Sequence, residues 1–139
     1  MKPLTAICAI LWAAAACLTP QQAGAAGKYD GSVPMICTAL MVTECGADGG
    51  CQYRTAANVN LPALFSVDAK AMKVRNLEVE KGRESPIKTV LHANGTMLLQ
   101  GADGDRGWTV VIHEENGKMS GTVSAHDEGF VIFGQCALP

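Results

Sequence analysis

The sequence lacks most features that announce a chemistry. Its eleven Lys and Arg side chains are scattered among thirteen Asp and Glu, with no basic cluster and no basic stripe interleaved with aromatics. That argues against a nucleic-acid partner. No block of like charge marks a disordered tail. No serine lies in a Gly-x-Ser-x-Gly context, and the glycine-rich stretch 101–107 lacks the Lys-Ser/Thr ending of a phosphate loop. Beyond residue 18, no segment has the uncharged apolar length of about 20 residues that spans a bilayer, and none shows sustained helical periodicity with caps. Internal repeats and low-complexity tracts are absent.

What is present begins with an export signal. Met1-Lys2-Pro3 precedes an apolar run from Leu4 to Leu18, then Pro20, then Ala23-Gly24-Ala25 in the small-x-small pattern of a signal-peptidase site. We expect residues 1–25 to be a signal peptide cut after Ala25 or one residue later, residues 26–34 to form a flexible leader, and residues 35–139 to form one domain. The alternative is lipid anchoring at Cys17, preceded by Ala14-Ala15-Ala16, which lacks the branched residue usual in a lipobox. Either route places the domain in the periplasm or outside the cell.

Cys8 and Cys17 fall within the signal, leaving Cys37, Cys45, Cys51 and Cys136. An even number in a small exported domain reads as disulfides, and three pairings are possible. We favour Cys45–Cys51, which flank the flexible turn 46–50, and Cys37–Cys136, which ties the last strand to the first. A loop of that length is worth ~4–5 kcal/mol in the chain-entropy model. The five residues between Cys45 and Cys51, and the isolation of His92, His113 and His126, do not match zinc spacing. A catalytic thiol and any cofactor are likewise not expected.

From Met35 onward, short apolar or alternating segments are separated by glycine-rich turns. Candidate strands are 35–42, 51–55, 64–68, 71–79, 87–92, 96–100, 108–113, 119–125 and 130–133. The segment 56–64 has room for one helical turn. Asn94-Gly95 and Asn116-Gly117 are hairpin signals, Asp127-Glu128-Gly129 is a third turn, and 101–107 reads as a loop. Trp108, Val110 and Ile112 share one face, as do Met119, Gly121, Val123 and Ala125. The fold class is all-β: an antiparallel meander of eight or nine strands, closed as a barrel or stacked as a sandwich, which disposes of the open edges.

Leu98-Leu99-Gln100-Gly101, Gly107-Trp108-Thr109, Gly117-Lys118-Met119 and the run Gly129 to Cys136 resemble a group of small exported proteobacterial proteins. So do Ile36-Cys37, Glu44-Cys45, Gly49-Gly50-Cys51, Asn60-Leu61-Pro62 and Val67-Asp68. The resemblance covers nearly the whole mature chain. It implies a bacterial envelope setting and carries over no catalytic residue. The fold also resembles lipocalin-type barrels, without their early Gly-x-Trp.

Several motifs invite a site and have plainer readings. His126-Asp127-Glu128 offers an acid–base trio, but sits in a turn. Asp103-Gly104-Asp105 offers calcium ligands, but no bidentate Glu follows, and Arg106 does. Asp48-Gly49-Gly50 is a turn, and the sequon Asn94-Gly95-Thr96 is explained by its hairpin. The methionines 35, 41, 72, 97 and 119 are too dispersed for a copper motif and suit an adaptable core or apolar pocket. Trp108, Phe130 and Phe133 read as core, and become the candidate ligand-binding residues if the barrel is wider than its side chains can fill. We expect a monomeric, non-enzymatic binding protein for a small apolar ligand or an envelope protein, with 101–107 and 46–50 as contact surfaces. Alternatives are a hydrolase inhibitor of lysozyme or protease, using the braced loop 46–50, and a small hydrolase built on His113 or His126 with acidic neighbours such as Glu114.

Overall fold

The computed structural model describes residues 28–79 and 82–139. Nine strands follow one another: β1 (Met35–Gly46), β2 (Cys51–Arg54), β3 (Leu64–Asp68), β4 (Lys73–Asn76), β5 (Glu84–Ala93), β6 (Thr96–Asp103), β7 (Arg106–His113), β8 (Lys118–Ser124) and β9 (Glu128–Ala137). A single 3-10 turn, Ala57–Val59, lies between β2 and β3. All pairings are antiparallel, and β9 returns to pair with β1 from Ile36↔Ala137 to Gly46↔Glu128. The sheet therefore closes into an eight-stranded barrel, and the sandwich alternative falls away. β2 is the ninth strand: it pairs with the second half of β1 (Val42↔Arg54 to Cys45↔Cys51), while β3 pairs with the first half (Met35↔Val67 to Thr38↔Leu64).

Turn chemistry sets the connections. Asn94 and Gly95 have φ of 51° and 73°, the two positive values that a type I′ turn requires. The 101–107 loop is corrected. β6 runs to Asp103, β7 starts at Arg106, and the two meet through Gly104-Asp105 with Asp103↔Arg106 in register. Only Gly104 has positive φ there, 63°, as in a type II′ turn with glycine at its first central position. The expected strand 71–79 is shorter, ending at Asn76.

Both expected disulfides are present, Cys37–Cys136 and Cys45–Cys51. Cys37 and Cys136 are directly opposed on β1 and β9, so the longer crosslink staples the seam that closes the barrel. At the end holding the 94–95 and 114–117 connections, Met35, Val67, Met97, Leu99 and Ile112 are all 0% exposed. Residues 28–34 lie across this end. Tyr29 packs on the core and donates its backbone N–H to Glu114 O (2.8 Å), and Gly31 is buried. A smaller cluster of Val42, Ala56, Val59 and Phe130 forms at the opposite end, under the segment 55–63. Among the described residues no helix is long and apolar enough to cross a membrane.

Candidate functional site

Eight strands enclose an interior that side chains can just fill, or that can hold one small ligand. In this barrel side chains fill one end and leave space at the other. Inward positions alternate along each strand. Those of the end just described are large and buried. Toward the other end they become Ala39, Val74, Val110, Val123 and Ile132, with glycine at 101 and 121, and none of the five apolar side chains is fully buried. The unfilled space is a cavity of about 590 Å³, inside the roughly 300–1,000 Å³ range of small-molecule sites.

Trp108 forms its aromatic wall, with Phe65 nearby. The indole lies against Gly101, its register partner on β6. A Cβ at position 101 would come 2.2 Å from the ring and 2.4 Å from Pro86 O, so only glycine lets the indole lie back against the sheet. Trp108 Nε1 donates to Ser85 Oγ on β5 at 2.8 Å. These two contacts hold a large flat surface toward the cavity rather than across it.

The mouth carries charges that are already paired. Arg83 meets Asp103 at 2.8 Å. Arg106 Nη2 donates to Glu128 Oε1 at 3.1 Å, Nη1 reaches Val59 O at 3.5 Å, and the guanidinium sits over the Phe130 ring, 5.7 Å from its centre. Glu78 accepts the backbone N–H of Ala63 at 2.8 Å. Arg106 thus clamps the 55–63 segment over one side of the opening. Beyond it lies an open depression of about 780 Å³, walled by Glu44, Asp48, Asp105, His126, Asp127 and Glu128 among others. Its walls are polar and solvent-facing.

Of the three expected ligand residues, Trp108 lines the cavity. Phe130 is 2% exposed and packs in the smaller cluster, covered by Arg106. Phe133 is 50% exposed on the outer face, beside Met41. An offset of three on a strand sends Phe130 and Phe133 to opposite faces. Of the expected contact surfaces, 46–50 is an exposed hairpin tip, whereas 101–107 is paired strand. The acid–base candidates are not brought together: Glu114 pairs with His92 (2.6 Å), not His113, and Glu128 pairs with Arg106. His113 Nδ1 is buried without a hydrogen-bond partner. Asp103 is engaged by Arg83, and among the described residues no group of three metal-ligating side chains forms. Met35, Met97 and Met119 meet in the main core.

Ser85 and Asn76 were not singled out from sequence, and Gly101 and Arg106 entered only as parts of the expected 101–107 loop. A signal existed: Gly-Asp is a two-residue hairpin turn, and reading it so extends the alternation Leu99, Gly101, Asp103 and Arg106, Trp108, Val110 along one inner wall. No protein-family model, curated protein or solved structure matches the chain. The function must therefore be argued from this geometry.

Proposed function

We propose that the protein is a non-enzymatic binding protein of the bacterial envelope, periplasmic or secreted, that holds a small, largely apolar ligand in the barrel. One observation carries the reading: within a single closed barrel, the inner side chains are wholly buried at one end, whereas Ala39, Val74, Val110, Val123 and Ile132 are only partly buried around a 590 Å³ chamber at the other. A barrel built only to be stable would fill that space, since each unfilled methyl-sized void costs about 1 kcal/mol. Two disulfides fit an oxidising compartment. The three histidines lie outside the chamber lining, which supports a binding role over a hydrolytic one.

Native mass spectrometry of unreduced protein from the envelope fraction tests this. The expected result is a chain with both disulfides and a non-covalent small-molecule adduct, lost in Val123→Phe, which fills the chamber. A bare mass that acquires nothing from an envelope extract would overturn it. The braced hairpin, with its exposed tip at 47–50 and Tyr53 78% exposed, favours one second reading. A rigid loop loses little entropy on docking into a hydrolase; inhibition assays against lysozyme and proteases address it.

A further inference from the structure

We infer that the chamber selects an uncharged ligand: an apolar body carrying one acceptor oxygen, a ketone, ester or ether, that docks between Ser85 and Asn76. This rests on the chamber being a binding site and goes on to name what it takes.

Among the described residues, four charged side chains border the chamber: Glu78, Arg83, Asp103 and Arg106. They sum to zero, and each already has a protein partner. Arg83 holds Asp103, Arg106 holds Glu128, and Glu78 accepts Ala63 N–H. A ligand charge entering here would lose water and meet no opposite charge without breaking one of these contacts, and burying an unpaired charge is severely unfavourable. The remainder of the wall is largely apolar.

The exceptions point to the ligand's polar atom. Ser85 Oγ accepts from the Trp108 indole, which leaves its own O–H to donate. Asn76 Oδ1 accepts Glu78 N–H at 2.8 Å, which leaves its amide NH₂ to donate. Among the described residues neither donor has a protein acceptor, and both residues line the chamber. Asn60 also borders the chamber but is exposed at its rim, so among the described residues Ser85 and Asn76 are the uncharged polar side chains partly buried in the wall, and their two donors match an acceptor oxygen.

Matched dyes separate these features. N-phenyl-1-naphthylamine is neutral, and 8-anilino-1-naphthalenesulfonate is the same molecule with a sulfonate. The neutral dye should bind the oxidised protein at least about tenfold more tightly, and Val123→Phe should abolish its binding. Asp103→Asn, which releases Arg83, should raise sulfonate affinity severalfold and leave the neutral dye unchanged. The neutral naphthyl ketone 6-propionyl-2-dimethylaminonaphthalene should also bind, and should lose affinity in Ser85→Ala more than the amine does. Equal or tighter sulfonate binding, or no gain in Asp103→Asn, would overturn the charge selection while leaving the chamber a binding site. Equal loss of both neutral dyes in Ser85→Ala would remove the acceptor oxygen. Binding of none of the three dyes would overturn the binding reading itself.

Discussion

Gly101 shows how one residue can be misjudged from its neighbours. With Gly104, Gly107, Asp103 and Asp105 close by, the local composition signals a loop. The reason for this glycine is non-local: the Trp108 ring and Pro86 O leave no room for a Cβ. Gly101→Ala should cost ~1–3 kcal/mol, as overpacking does, and push the indole into the chamber. Urea denaturation and the near-ultraviolet dichroism of Trp108 would register both effects; an unchanged midpoint and spectrum would contradict this placement. Arg106 is the other residue whose role sequence did not show, because its three contacts come from Glu128 and Phe130 of β9 and from Val59 in the 55–63 segment. Arg106→Ala should destabilise by about 1–2 kcal/mol, the scale of a partly exposed pair plus lost packing on Phe130. The loss should show first as faster amide exchange at Val59 to Leu61.

Among the elements, the hairpin β5–β6 was legible because Asn-Gly dictates its own backbone, and β3 was legible to the residue between Pro62 and the turn 69–72. β2 differs in kind. All four of its residues are exposed, and its only sheet partner is β1. The Cys45–Cys51 bridge, closing a separation of 6 residues, fixes one end of it, and the Arg54–Glu44 ion pair at 2.6 Å fixes the other. Replacing both cysteines with serine should cost no more than ~2 kcal/mol, given so short a loop. Exchange protection should vanish over Cys51–Arg54 while β6, β7 and β8 keep theirs. Global unfolding in that variant would mean the hairpin belongs to the barrel's cooperative unit.

At the scale of the molecule, the meeting of first and last strands was readable; the choice of barrel over sandwich, and the chamber, were not. Short alternating segments with tight turns, plus a cysteine near each end of the domain, already implied that first and last strands meet. The size of the interior follows from how eight inner rows of side chains interlock. That depends on pairings such as Gly101↔Trp108 and on small residues arriving at the same level from different strands. No local window contains that information. Replacing Cys37 and Cys136 with serine tests the closure. With a separation of 99 residues, the loss should be ~4–5 kcal/mol, read as a lowered urea midpoint. Dye binding should persist wherever the variant is folded.

The β1–β9 seam also imposes a schedule. A chain that emerges amino end first presents β1 before the other strands of the barrel and β9 after them. The barrel has no closed form until β9 is available to pair with β1, so whatever forms earlier lacks the seam that completes it. Cys45 and Cys51 can join early, six residues apart. Cys37 has its native partner only once Cys136, 99 residues further on, has been made.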